Sequence, residues 1–232
     1  MITPCPAPTC ATPVRFADTV PAGTVQACPG CGGGVPAPAE LTFVVYDLET
    51  TGLSADGCEI IQIAATRLVA GRVRSEDAFF SYCRPQQAIP RFITEYTGVT
   101  DRDVRDAPRP IQALEAFSRY VGHSVLMAHN GHRFDLKFLE ATATRHRVPT
   151  RPVESLDTIA LSKRVFGTKA GTGHSLDRVM SRLGVSVGDH RRHDARGDVA
   201  ALAAAVALMW DRLALDARAT TFPRRETFLP AV

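Results

Sequence analysis

The sequence specifies an α/β domain, a sheet covered by helices, preceded by a small cysteine-bearing module. Three observations carry that reading. Strand-like β-branched runs come first after residue 40 and then mix with segments of helical period. Cys5, Cys10, Cys28 and Cys31 gather ahead of them. A Gly- and Pro-rich stretch, "GGGVPAPAE", separates the two regions as a linker. The organisation expected is a module over residues 1–35, a linker over 36–40, a catalytic-size domain over 41–215 and a tail over 216–232 without clear pattern.

The bulk numbers fit this division. A chain of 232 residues suits one medium domain plus something small, and an apolar fraction of 45% supports a real core. Net charge is +3, which permits an anionic partner without demanding one. Basic clusters in "RDVRDAPRP", "RHRVPTR" and "HRRH" read as solvated loops. Nothing approaches the ~18 unbroken apolar residues of a membrane helix. The first ten residues carry neither a basic nor an apolar signal region, so the expected compartment is the cytoplasm, with no membrane partner.

In the module, "CPGCGG" has the form of a metal knuckle: Pro shapes the turn and Gly leaves room around the sulfurs. Two cysteine pairs, C-x4-C and C-x2-C, read as a four-cysteine zinc site, and a segment this short needs a metal to hold it. It resembles small zinc ribbons, which bind nucleic acid or protein. Cys58 and Cys83 fall outside the pattern and read as small packing residues.

The main domain opens with "LTFVVYDL" and "EIIQIAATRLV", both strand-like, and "GRVRSEDAFFSYC" gives a third strand after a turn at Gly71. "RPIQALEAFSRYVG" has helical spacing at Ile111, Leu114, Phe117 and Val121, then a Gly stop. "SVLMAHN" is a short apolar run with a polar end, and "FDLKFLEATATRH" is helical. "SLDTIALSKRVFG" and "SLDRVMSRLG" read as helices opened by Ser and closed by Gly, and "DVAALAAAVALMWDRLALDA" as a long helix.

Chemistry collects where these runs end. Asp47 and Glu49 are two residues apart, so on a strand they face the same side. Like charges there need a cation, and oxygen ligands suit Mg²⁺ or Mn²⁺. The alternative is a pair of exposed acids before a turn. Asp135 opens a helix, where an acid also simply favours the N-terminus. His193 and Asp198 are five apart, which places them together only if His193 lies on a loop and Asp198 in the first turns of the helix; Asp194 then fits the N-cap.

"DLETTG", the Asp of "HNGHRFDLKFL" and the H-x4-D of "HDARGD" occur in the order and with the separations of the three exonuclease motifs of the DEDDh family. The resemblance covers roughly residues 41–215. It implies a ribonuclease H-like mixed sheet flanked by helices and a 3′→5′ exonuclease releasing nucleoside 5′-monophosphates. It also implies roles: Asp47, Glu49, Asp135 and Asp198 hold two Mg²⁺ or Mn²⁺, and His193 is the general base. Thr51, Gly52 and Leu53 would meet the terminal nucleotide, with His129, Asn130 and Phe134 lining the cleft. The chemistry agrees, since two metals bind the attacking water and the leaving oxygen, and an imidazole takes a proton near neutral pH. His190 is the rival base, but the H-x4-D spacing favours His193. His123, His132 and His146 read as surface or capping residues and His174 as structural. The expected partner is nucleic acid with a 3′ end, DNA favoured over RNA, with a polymerase or repair protein held through the module or the tail. An oligoribonuclease is one alternative, and an inactive nucleic-acid-binding adaptor is another.

Overall fold

The computed structural model describes residues 2–10, 12–15, 23–36, 42–122, 124–169, 171–188, 192–215 and 222–232. His123, His190 and the linker beyond Pro36 lie outside them. The module contains β1 (Ile2–Pro4), β2 (Pro13–Arg15), β3 (Val25–Ala27) and β4 (Gly34–Pro36), forming two separate antiparallel pairs, β1–β2 and β3–β4. Pro36 is thus strand rather than linker, paired with Val25.

The main domain follows as β5 (Thr42–Thr50), β6 (Ile60–Val69), β7 (Arg72–Tyr82), α1 (Arg91–Thr97), α2 (Asp101–Val104), α3 (Pro110–Val121), β8 (Val125–Ala128), α4 (Asp135–Arg145), β9 (Thr150–Asp157), α5 (Thr158–Phe166), α6 (Leu176–Leu183), α7 (Ala195–Arg212) and β10 (Arg224–Pro230). One six-stranded mixed sheet runs in the order β10-β9-β8-β5-β6-β7. The β6–β7 hairpin turns on Ala70 and Gly71, both at positive φ, as a tight two-residue turn requires.

β5 is buried on both faces, so its apolar residues alternate between two cores. Val44, Tyr46 and Leu48 pack with Leu114, Phe117, Phe138 and Leu139 of α3 and α4. Phe43 and Val45 pack on the other face with Leu161, Leu202, Val206, Met209 and Trp210 of α5 and α7. The small residues of α7 let it lie close to the sheet. Ala64 of β6 meets Ala195 and Val199 at its start.

Two elements depart from the sequence reading. Residues 155–157 of "SLDTIALSKRVFG" belong to β9, and α5 is capped by Asp157, whose carboxylate accepts from the Ile159 N–H, rather than by Ser155. The stretch set aside as a tail contains β10, which pairs antiparallel with β9 from Thr150 to Leu156. It is fastened to the helices as well: Ser118 Oγ donates to the Pro230 carbonyl at 2.7 Å, and Thr227 Oγ1 donates to Glu140 at 2.7 Å. Residues 216–221 lie outside the described residues.

Candidate active site

β5 and β8 are parallel, so their C-terminal ends lie side by side. Ligands in open α/β sheets sit beyond such ends. The register pairs Asp47 with Ala64 and Glu49 with Gln62, and it shifts by a bulge between Glu49 and Thr50. Bulges of this kind re-aim side chains at strand ends. Directly paired residues share a face. Asp47, Glu49, Gln62 and Ala64 therefore all point toward the start of α7.

A cavity of 290 Å³ opens there, lined by Asp47, Glu49, Asp135, His193 and Asp198 among others. Oxygens of Glu49 and Asp198 and a ring nitrogen of His193 lie within 4.8 Å of one another, a spacing that suits a shared ion. His193 sits on the loop, as its spacing from Asp198 requires, with φ at +62°. Its N–H donates to Asp198 Oδ2 at 3.2 Å, and its Nδ1 is 4.0 Å from the same oxygen. Asp194 caps α7, its carboxylate accepting from the Arg196 N–H.

The electrostatics ask for a cation. Burial, reinforced by Asp198 and Asp135, pushes the Glu49 carboxyl up to about 8. Burial raises Asp135 to about 7, and Asp47 rises for the same reason with Asp135, Glu49 and Asp198 adding to it. Asp135 Oδ1 is buried without a hydrogen-bond partner. Such an oxygen costs stability unless something binds it. The donor set, all oxygens and one imidazole, fits a hard divalent ion.

The surrounding residues divide. Gly52, Leu53, His129, Asn130 and Phe134 line the cavity. Leu53 is 88% exposed at its mouth. A Cβ at Gly52 would come within 2.7 Å of Cys58 Sγ, so any other residue there would have to displace that thiol. Thr51 is absent from the lining: its hydroxyl accepts from the Glu59 N–H and its own N–H donates to the Glu59 carbonyl, while Thr50 takes the cavity position. His129 lines the cavity with both ring nitrogens engaged, by Thr158 Oγ1 at 2.8 Å and the His174 carbonyl at 2.7 Å. His174 bonds Ser162 Oγ in turn, a structural arrangement.

Three residues outside the sequence motifs complete the site. Gln62 is fully buried; its Oε1 accepts from the Ala195 N–H at 2.9 Å and its Nε2 donates to Asp194. It thereby seats the start of α7 beside Glu49. Arg192 bridges Asp198 and Asp177. Asp157 accepts from the Asn130 and His132 N–H groups and holds the loop after β8. A glutamine inside "EIIQIAATRLV" was the one legible signal, because a buried amide must find partners.

In the module, Cys5 and Cys31 sulfurs are 3.6 Å apart and those of Cys10 and Cys28 are 3.7 Å apart. All four cysteines are free, and their sulfurs lie within 4.8 Å of one another. A tetrahedral zinc with bonds of about 2.3 Å separates its sulfurs by about 3.8 Å. The Gly30 N–H donates to Cys28 Sγ at 3.3 Å, as the glycine-rich knuckle allows. Hydrogen bonding with Thr12 brings the Cys10 thiol down to about 6, while Cys5 and Cys31 in the same cluster are raised, so the four share their charge unevenly until a metal takes it.

A sequence profile of the family described as Exonuclease (RNase_T) matches residues 44–206. The chain belongs to that family. A DNA polymerase III subunit epsilon-like protein of Rhodobacter capsulatus is 42% identical over 180 residues, which are 75% of this chain and 25% of that protein. A PolC-type DNA polymerase III of Streptococcus thermophilus is 35% identical over 151 residues, 65% of this chain and 10% of that one. The chain thus spans a quarter or less of these relatives. Among solved structures, exonuclease X in complex with 5′-overhanging duplex DNA aligns with a TM-score of 0.59 and 23% identity, over 75% of this chain and 95% of that one. A 3′-exonuclease recognising a histone mRNA stem-loop aligns with a TM-score of 0.64 and 15% identity, over 82% and 91%. At such identities the likeness concerns the fold, and it includes one exonuclease described with DNA and one described as recognising RNA.

Proposed function

We propose that this 3′→5′ exonuclease acts on DNA, hydrolysing the phosphodiester at the 3′ end to release nucleoside 5′-monophosphates, with His193 as general base. The observation that carries the reading is the convergence of four carboxylates and one imidazole, from β5, α4 and the start of α7, on one cavity. Two bound Mg²⁺ or Mn²⁺ would neutralise the phosphodiester and acidify the attacking water. Asp47, Glu49, Asp135 and Asp198 would hold them, and Asp135 Oδ1 would gain the partner it lacks. His193 accepts the proton of the attacking water, which costs little near neutral pH. Leu53 and Phe134 flank the terminal base with apolar surface, and Gly52 lets the backbone approach the terminal nucleotide. Asn130 offers a polar group at the rim. His129 serves as wall, its nitrogens being committed.

DNA is favoured over RNA because the curated relatives bear the names of DNA polymerase III proteins. The module holds one structural Zn²⁺ through Cys5, Cys10, Cys28 and Cys31, and is the surface for a polymerase or repair partner. A cytoplasmic location belongs to this reading, as the place where a replicative or repair polymerase works. No described helix is long and apolar enough to cross a membrane.

The test uses 5′-labelled single-stranded DNA, 3′-recessed duplex and single-stranded RNA, in Mg²⁺ and in Mn²⁺. A ladder shortening from the 3′ end is expected, strongest on DNA. It should fall by about 10²-fold or more in His193→Ala, and vanish in Asp47→Ala and in EDTA. Folded protein that binds DNA and cuts nothing would instead make it an adaptor.

A further inference from the structure

Tyr96 lies outside every sequence motif, yet its ring is stacked on the imidazole of His193. The ring centroids are 3.9 Å apart and the planes differ by 24°. Tyr96 also lines the cavity that holds the four carboxylates.

The two partners come from different kinds of element. Tyr96 rides on α1, whose Ile93 is packed against Ile61 of β6 with Ile89, Val99 and Val104. The helix ends on Gly98 in the left-handed region, and Thr97 Oγ1 donates to the Ile93 carbonyl while accepting from the Val99 N–H. The phenol ring therefore stands on an element fastened to the sheet, although Tyr96 itself is 55% exposed. His193 sits on a loop in the left-handed region, which costs a non-glycine residue energy. Its backbone N–H donates to Asp198 Oδ2 at 3.2 Å, and its Nδ1 lies 4.0 Å from the same oxygen, on the metal-ligand side of the cavity.

The geometry points to Tyr96 as a positioning residue for His193: the stacked phenol sets the plane of the imidazole within the cavity, so that the proton acceptor is oriented before substrate arrives. This rests on the reading of His193 as general base. Small misplacements of such a group are expensive in rate, because the acceptor must lie within hydrogen-bond reach of the proton it removes. Stacking needs the ring and not the hydroxyl, so phenylalanine should serve and an aliphatic residue should not.

The experiment compares Tyr96→Leu and Tyr96→Phe, each with His193 intact and in the His193→Ala background. Steady-state kinetics use 5′-labelled single-stranded DNA and Mg²⁺, and ¹H–¹³C spectra report the histidine rings. Tyr96→Leu should lower kcat by about ten- to a hundredfold with KM changed less than about twofold. Tyr96→Phe should restore kcat. The His193 ring protons, assigned by their loss in His193→Ala, should lie upfield in the wild type and Tyr96→Phe and move downfield in Tyr96→Leu. With His193 already removed, Tyr96→Leu should cost nothing more. A rise in KM at unchanged kcat would overturn the proposal and make Tyr96 a substrate contact. An equal loss in both backgrounds would also overturn it. If His193→Ala alone retains full activity, the general-base reading fails first; an inactive His193→Ala beside a fully active Tyr96→Leu sinks only the positioning role.

Discussion

The module and the exonuclease domain solve the same problem with opposite means. The module buries Cys5, Val14, Cys28 and Val35 beneath four strands of three residues each. The domain buries two apolar layers on either side of a six-stranded sheet. Two of the module's four buried residues are themselves cysteines of the proposed zinc site. Without an ion that cluster would be repelling thiolates or unpaired thiols. Take the ions from the domain and the carboxylates destabilise the site locally while both cores remain. On the function proposed here, a metal would be the core of one unit and only a tenant of the other.

The largest effect should therefore appear in the module. Structural zinc in small sites contributes on the order of 10 kcal/mol, which is the folding energy of the unit itself. Cys28→Ser should abolish the single zinc measured by atomic absorption. It should also open the first 36 residues to protease while the domain stays resistant. Full resistance of the module in Cys28→Ser would erase the contrast.

Next in size is a cavity in the domain core. Phe43 is fully buried and meets the Trp210 ring edge-on at 5.4 Å. Phe43→Ala should cost about 3–5 kcal/mol in urea unfolding, read from Trp210 as the sole tryptophan. The zinc content should not change. A loss of zinc in that variant would mean that the two units share a core after all.

A third, smaller effect concerns the joint between sheet and site. Gln62→Leu leaves the Ala195 N–H and the Asp194 carboxylate without their buried partner, a cost of about 1–3 kcal/mol. It should also lower activity more than stability explains, because the same contact seats α7 and with it Asp198. Unchanged kcat in this variant would show that Asp194 alone sets the helix start.

These variants mark what the sequence could and could not disclose. The chemistry of β5 was legible because two acids at the end of an apolar run are conspicuous wherever they occur. The H-x4-D spacing likewise contained its own geometry, a loop followed by the first turn of a helix. β9 and β10 were not legible. "TRPVESLD" and "RRETFLP" are charged and carry proline, and they are strands only because each pairs with the other and β9 also pairs with β8. Gln62 could be seen as polar within an apolar strand, but its partners lie 132 and 133 residues away. Tyr96 had no signal, since an exposed tyrosine on a short helix is ordinary. What reads from sequence is chemistry that is local along the chain; what does not is chemistry assembled by pairing across it.

The last effect is a slope with pH, and it separates the two metal roles most cleanly. In the native domain burial pushes the Glu49 carboxyl up to about 8 and that of Asp135 up to about 7. In the unfolded chain they would return to the ordinary carboxylate range near ~4. Between those limits the native state holds protons that the unfolded state has released. The contribution of these two groups to the stability of the metal-free domain is then fully present below about pH 4 and is lost as pH rises through 8, by at most about 1.4 kcal/mol per pH unit for each proton. Urea unfolding in EDTA, followed by Trp210 fluorescence from about pH 5 to about pH 9, should show this decline. Mn²⁺ replaces the protons with a stronger counter-charge, so it should stabilise the domain more at about pH 8 than at about pH 5. Glu49→Gln should flatten the slope, because the amide carries no charge to repel Asp198 and Asp135. A flat or rising profile in EDTA would mean that the carboxylates are neutralised by the protein itself, with Arg192 on Asp198 the first contact to suspect.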